Sequence, residues 1–460
     1  MARPSNISKP KSTIGRPIPN AGEPTSAYFR SLTLKNIRCF GPEEQTLDLS
    51  DRNGAPAHWT VILGNNGTGK TTLLECLAGF GEARVEGGVT FSAMAWNYSH
   101  PDRHLIRQPI GATAFPGELH VGLSYGKQLS QQNGQWMPLE RRSELLPEGG
   151  IRSETDLFFS LVFCCSYGAS RRMGSTSLSI AGSSFLRMSP LADDSVELRN
   201  AEEWLLQLDY SASKDSPIQP SQKAHREQVR QLLIDILPDV TDIRFTSPTE
   251  ESPRPGVEFK TPDGWLPLRY IGLGYRTTMA WMVDFASRLV ERYPKSKDPL
   301  SEPAVCLVDE IDLHLHPRWQ RTLMKHLSER FPNVQFIVTA HSPLFVQAAE
   351  DANLVVLRRE KDRVRIDNDV ERIKGWRVDQ LLTSDLFELP SARPPRLDKL
   401  LEERRKLLTK GKLTAADRHR LEELSEQIGA LPGGETAEDA KTRALLERAL
   451  NELRRSGGKG

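Results

Sequence analysis

The chain has 460 residues, enough for one large domain with insertions or for two or three smaller ones. Its 61 basic and 60 acidic side chains leave a formal charge of +1, which excludes a body that wraps nucleic acid by bulk charge but leaves room for local basic patches. Hydrophobic residues make up 38%, sufficient for a buried core, and no uninterrupted apolar run is long enough to cross a bilayer.

Residues 1–27 read as a disordered arm: the first twenty carry Arg3, Lys9, Lys11 and Arg16, four prolines and no apolar signal region. The run 32–40 (LTLKNIRCF) reads as an early strand, with 46–49 pairing back onto it. A second apolar run, 59–63 (WTVIL), ends at Gly64, and 71–78 then takes helical spacing through Leu73, Leu74 and Leu77 before Gly79 stops it. The order is therefore strand, glycine-rich loop, helix. Residues 85–150 read as an antiparallel β region, with 118–125 (ELHVGLSY) alternating like a half-buried strand. The run 157–166 (LFFSLVFCCS) reads as a buried strand leading into a polar turn, YGASRR.

Two helices at 199–210 and 223–237, joined by a polar linker over 211–221, form a helical insertion within 190–240. Strands are expected at 241–246, 256–260, 304–308, 335–339 and 353–357, with helices at 278–293 and 317–330. Strands alternating with helices imply an α/β fold with a mixed, mostly parallel core sheet. That body spans 28–390 and is followed by a helical tail, 391–460. In the tail, Thr414 and Asp417 open one helix as a capping box, and Thr436 and Asp439 open another. The five cysteines, Cys39, Cys76, Cys164, Cys165 and Cys306, form no C-x-x-C pair, the usage of a reduced cytoplasmic protein.

The residues that carry chemistry lie at two ends of this body. Gly64-Asn65-Asn66-Gly67-Thr68-Gly69-Lys70-Thr71, followed by Thr72, fits G-x-x-x-x-G-K-[ST] in full. Glycines let backbone N–H groups converge on a phosphate, the next helix aims its positive end at it, Lys70 reaches the outer phosphates, and the Thr71 hydroxyl ligates Mg2+. The apolar strand Val305-Cys306-Leu307-Val308 ends in Asp309-Glu310, which suits a second Mg2+ ligand followed by a general base. A third strand ends in Thr339-Ala340-His341-Ser342, with His341 as the expected sensor of the γ-phosphate. The pair His314-Leu315-His316 has no third Cys or His nearby, so a metal site there is disfavoured. Arg171-Arg172, the cluster Arg358, Arg359, Lys361 and Arg363, and Arg404-Arg405-Lys406 read as solvated faces, with DNA phosphate contacts as the sharper alternative.

The stretches LTLKNIRCF, VILGNNGTGKTTLL, CLVDEIDLHLHPRWQ and QFIVTAHSP resemble ABC-type P-loop ATPases of the SMC/RecF/OLD group, often filed as AAA-type "domain 21" proteins. The likeness spans roughly residues 30 to 390 and extends, through YGASRR, GYRTTMAWMVDFASRL and GWRVDQLLTSDLF, to the ATPase subunit of Septu-type anti-phage defence systems. It implies an ATP-hydrolysing head that uses ATP and Mg2+, pairs with a second head, and serves DNA repair or defence with a separately encoded nuclease of HNH or TOPRIM type. DNA is an expected partner and a membrane is not.

In such heads a signature loop meets the γ-phosphate held by the other head. The matching segment here is Ile271-Gly272-Leu273-Gly274-Tyr275-Arg276, with Gly272 where the family has serine. Loss of that hydroxyl removes a donor worth on the order of 3 kcal/mol to transition-state charge, so slow hydrolysis is expected. His314-Leu315-His316 matches the loop that crosses the head–head interface, and Gln108 and Gln128 are the candidates for the glutamine loop. Two other readings compete: the ATP-binding subunit of a membrane transporter, and an ATP-binding scaffold with negligible turnover.

Overall fold

The computed structural model describes residues 27–80, 82–84, 90–92, 117–125, 137–146, 150–153, 162–174, 191, 196–250, 253–370, 375–387, 389, 391–410 and 414–428. The amino-terminal arm, Gln108, Gln128, the first half of the 157–166 run and the helix expected after Thr436 lie outside the described residues.

The chain opens with β1 (Ala27–Lys35) and a single 3-10 turn at Arg38–Phe40, then β2 (Gln45–Asp48), β3 (Trp59–Gly64) and α1 (Lys70–Ala78). Strands β4 (Glu82–Arg84), β5 (Thr90–Ser92), β6 (Gly117–Tyr125), β7 (Met137–Leu146), β8 (Gly150–Ser153) and β9 (Cys164–Tyr167) follow. Then come α2 (Ala201–Ser213), α3 (Gln219–Ile236), the meander β10 (Asp242–Thr246), β11 (Gly256–Thr261) and β12 (Gly264–Pro267), and α4 (Leu273–Arg292). The remaining elements of this body are β13 (Ala304–Val308), α5 (Pro317–Gln320), α6 (Leu323–Arg330), β14 (Val334–Thr339), α7 (Pro343–Ala348), β15 (Asn353–Glu360), β16 (Arg363–Asp367) and α8 (Val378–Leu382).

The core sheet has the order β16-β15-β3-β14-β13-β9 and is parallel except at the edge strand β16. Its central strands are apolar on both faces because both faces are covered. Alternate side chains feed two separate cores. Val61, Leu63, Cys306, Val308, Phe336 and Val338 join one core with Trp204, Leu232 and Trp281 of the helices. Ile62, Val305, Leu307 and Ile337 join the other with Leu73, Leu74 and Leu77 of α1 and Leu32, Leu34 and Leu47 of the outer sheet. That outer sheet is antiparallel, in the order β2-β1-β6-β7-β8. Its β1 slips register between Phe29 and Ser31, and the fully buried Gln335 of β14 serves the chain there. The Gln335 amide accepts from the Phe29 N–H at 2.9 Å and donates to the Phe29 carbonyl at 2.8 Å.

Several elements differ from the sequence expectation. Strand β1 begins and ends earlier than the 32–40 run, because Asn36 (φ 56°) and Arg38 (φ 39°) turn the chain out of extended geometry while Ile37 and Phe40 stay buried. The strand expected over 157–166 is described only as β9 and continues through Tyr167. The helix expected over 317–330 is broken into α5 and α6 at Thr322, whose hydroxyl bonds back to the Trp319 carbonyl. Helix α4 starts five residues before the expected 278, and β12, β16 and α7 were not anticipated.

A second compact unit comprises 382–384 and 388–460. Its described helices are α9 (Pro395–Leu408) and α10 (Ala415–Ile428). The expected capping box is formed: the Asp417 N–H meets the Thr414 hydroxyl at 3.2 Å and the Thr414 N–H meets the Asp417 carboxylate at 3.0 Å. Arg420 forks onto both oxygens of Glu403, joining the two helices.

Candidate nucleotide-binding site

Strand β3 delivers the chain to a loop built for backbone exposure. Gly69 has φ 86°, and a Cβ there would stand 2.5 Å from Cys39 Sγ and 3.0 Å from the Phe40 ring. Gly64, at φ 149°, would drive a Cβ to 2.8 Å from the Leu357 carbonyl. Glycine is therefore required at both positions. Asn65, Asn66 and Gly67 are exposed, whereas Thr68 is buried and bonds back to the Asn65 carbonyl at 2.8 Å. No side chain caps the amino terminus of α1, so its first N–H groups remain free to face an anion. The Lys70 ammonium folds over the loop onto the carbonyls of Gly64 (2.8 Å) and Asn65 (3.1 Å). Burial lowers the Lys70 pKa, opposed by the charges of Asp309, Glu310 and Asp312. The Thr72 hydroxyl accepts from Arg38, which also pairs with Glu75.

The parallel register brings the acid-tipped strand to this loop. Val308 pairs with Val338, and Thr339 pairs with Ile62, so the carboxyl ends of β3, β14 and β13 lie side by side. The Thr71 hydroxyl donates to Asp309 Oδ2 at 2.7 Å, and the Thr339 hydroxyl donates to Oδ1 at 2.5 Å. Thr339 Oγ1 in turn accepts from the Glu310 N–H at 2.7 Å. Glu310 itself sits in the left-handed region at φ 47°, and its half-buried side chain follows directly on Asp309.

His341 follows β14. Its backbone N–H, with that of Ser342, is held by the Asp312 carboxylate, while the residue is exposed. Gln320 completes this link by donating to the Asp312 and Leu315 carbonyls and accepting from the Ser342 hydroxyl. His316 caps α5 through Nδ1, and among the described residues no group of three or more His, Cys, Asp or Glu is placed to hold a metal ion.

Gly64–Thr72 and Asp309, Glu310 and His341 thus share one end of the core sheet. Gly272, Leu273 and Gly274 do not join them: Gly272 is the cap residue of α4, Leu273 is 57% exposed, and Gly274 lies against the loop after β13. A Cβ on Gly274 would approach the His314 carbonyl to 2.4 Å.

The sequence reading missed Thr339, Asp312 and Arg171 at this site. Arg171 is not on the solvated face its Arg-Arg pattern suggests: it is 2% exposed and donates to the Glu310 carbonyl at 2.6 Å. Burial lowers its pKa to about 10 against the pull of Asp309, Asp312 and Glu310, so it remains charged at neutral pH. Of the second basic cluster, Arg359 bonds the Gly67 carbonyl at 2.6 Å, Arg358 pairs with Asp367, and Arg363 pairs with Glu43.

A glycine cradle at a helix amino terminus, set beside an acid-tipped parallel strand under an outer antiparallel sheet, defines a P-loop NTPase fold of the ABC head type. Over part of its length the chain is similar in sequence to probable ATPases of retrons and to Septu PtuA proteins. A family model described as "AAA domain" matches residues 31–80, and one described as "AAA domain, putative AbiEii toxin, Type IV TA system" matches 188–347. These two matches cover the two halves of the site. The Retron Ec83 probable ATPase of Escherichia coli is 34% identical over 171 residues, 36% of this chain and 30% of that protein. The Septu protein PtuA of Bacillus mycoides (strain KBAB4) is 32% identical over 139 residues, 30% of this chain and 19% of that protein. The chain thus spans about a third or less of the length of these relatives. Among solved structures, an SMC head domain from Thermotoga maritima aligns over 75% of this chain and 99% of its own at 14% identity and a TM-score of 0.39. An SMC head bound to the C-winged helix domain of ScpA aligns over 74% and 97% at 16% identity and 0.42.

No described helix is long and apolar enough to cross a membrane.

Proposed function

We propose that this chain is a slow, Mg2+-dependent ATPase of the cytoplasm. Its ATP-bound heads, residues 28–390, would pair to control a nucleic-acid-directed activity in anti-phage defence. The observation that carries the reading is the 2.7 Å bond between Thr71 and Asp309, which aligns two oxygen ligands for one small cation. The loop's backbone amides and the uncapped amino terminus of α1 would hold the β-phosphate, with Lys70 moving from its carbonyl partners to the outer phosphates. Bound there, Mg2+ would neutralise charge on the phosphate oxygens.

Glu310 would accept a proton from water as the water oxygen attacks the γ-phosphorus. The bond from that phosphorus to the β–γ bridging oxygen then breaks, giving ADP and phosphate. His341, exposed at the end of β14, would face the γ-phosphate, and Gly272, Leu273 and Gly274 would meet it from a second copy of the chain. The partner would be a separately encoded nuclease, with DNA as the object of the pair.

The test is phosphate release by the wild type and by Glu310→Gln. The reading expects slow, Mg2+-dependent release that the substitution removes. Equal release from the two proteins would overturn the role of Glu310, and turnover of tens per second would overturn the slow reading.

A further inference from the structure

We infer that Arg171 is a positioning residue of the hydrolytic site: it grips the Glu310 carbonyl and so fixes the left-handed backbone turn that presents the Glu310 carboxylate. The inference rests on Glu310 acting as the base.

Strand β9 runs beside β13, with Tyr167 paired to Val308, and the Asp309 N–H donates to the Tyr167 carbonyl at 2.8 Å. The Tyr167 hydroxyl is fixed by Asp284 at 2.9 Å, so the chain leaves β9 from an anchored point next to Asp309. Four residues on, Arg171 takes φ 33° and its guanidinium reaches the Glu310 carbonyl. Two non-glycine residues in the left-handed region, Arg171 and Glu310, are thereby bonded to each other across 139 positions of sequence. Such backbone persists only where its surroundings over-determine it. If Glu310 relaxed to a negative φ, its carbonyl would swing away and Arg171 would lose this partner.

The form of the contact argues against a plain structural ion pair. A buried guanidinium is costly unless its donors are met by well-aligned acceptors. Arg171 Nε is buried with no partner, although Asp309, Glu310 and Asp312 all act on the guanidinium electrostatically. The strong 2.6 Å bond goes instead to a neutral carbonyl, that of the residue proposed as base. The charge is left to act on three carboxylates at once, while the hydrogen bond sets one backbone turn.

The experiment compares Arg171→Met, Arg171→Lys and Glu310→Gln with the wild type in single-turnover hydrolysis and in Mg2+-ATP binding. Arg171→Met should bind within about threefold of wild type yet hydrolyse at least tenfold more slowly, with Arg171→Lys restoring part of the loss. Adding Arg171→Met to Glu310→Gln should slow hydrolysis no further, because residues acting as a unit are not additive. A wild-type rate in Arg171→Met, or a loss confined to binding, overturns the inference. If wild type and Glu310→Gln hydrolyse equally, the base assignment fails, and the backbone claim is judged by thermal unfolding alone. Glycine enters the left-handed region without strain, so Glu310→Gly should cut the Tm loss caused by Arg171→Met to less than half; equal losses in both backgrounds overturn it. If the methionine variant does not fold, the same comparisons are read from Arg171→Lys.

Discussion

Thr71 and Asp309 stand 238 residues apart in sequence, and their side chains meet at 2.7 Å. Two features make the contact. Thr71 is fixed in the first turn of α1 by the glycine loop, and Asp309 is carried to the sheet's carboxyl edge by a strand buried along its whole length. Thr339, from the strand between them, holds the other carboxylate oxygen.

Thr339→Val keeps the side chain's shape and removes its hydroxyl. Asp309 then loses one donor and the Glu310 N–H loses its acceptor. A stability loss of about 1–3 kcal/mol is expected, since a group left unsatisfied costs its desolvation. Denaturant unfolding measures this loss, and phosphate release should fall in parallel because both acids lose a restraint. An unchanged unfolding midpoint would contradict the account.

Gly69→Ala is expected to abolish nucleotide binding. The residue is left-handed, and its new methyl would meet Cys39 Sγ at 2.5 Å. The backbone alone costs roughly 1–2 kcal/mol. Adding Cys39→Ala removes the sulfur but neither the Phe40 contact nor the dihedral penalty. Calorimetric titration with Mg2+-ATP should therefore show only partial recovery in the double variant.

Lys70 gives a pH prediction. Its folded-state pKa lies below the ordinary 10.5, chiefly because it is buried. Between those two values the unfolded chain binds more protons, so this group's contribution to stability rises with pH across the window. Below the lowered pKa the full destabilisation is present. Lys70→Met should therefore lose that alkaline rise relative to wild type, as well as losing affinity for ATP. Unfolding curves from neutral pH to about pH 10 would show the difference in slope; parallel curves would count against it.

Gly272→Ser tests the signature loop. The nearest atom to a Cβ at Gly272 is in the Tyr275 ring at 3.8 Å, so a serine fits without displacing anything. The melting temperature should hold while turnover rises by tenfold or more, because one donor to transition-state charge is worth about 3 kcal/mol. A faster enzyme at unchanged stability is the expected outcome. Unchanged turnover would mean that Gly272 does not face the phosphate.

The parts of this chain that were legible in the sequence are those written as contiguous patterns. The order of β3, loop and α1, the acid pair ending β13 and the capping box at Thr414 each depend on neighbours within a few residues. Arg171 was not legible, because its burial depends on β9 lying against β13, and nothing local distinguishes it from the adjacent Arg172. Thr339 stood in plain view, but as one of six buried strand residues its hydroxyl bonds depend on which strand lies beside it. The break between α5 and α6 was hidden for a related reason: the hydrophobic spacing continues across Thr322, whose N–H and hydroxyl both turn back to the Trp319 carbonyl where the helix is interrupted.

The Gln335 amide has a mechanical consequence for the whole head. It binds the N–H and the C=O of the same residue, Phe29, so it fits one alignment of the outer layer and no other. Sliding β1 by a single position would exchange the chain's faces and strand a fully buried amide. The two layers are keyed together there and should open together, which predicts that amide protons of β1 exchange with solvent no faster than those of β14.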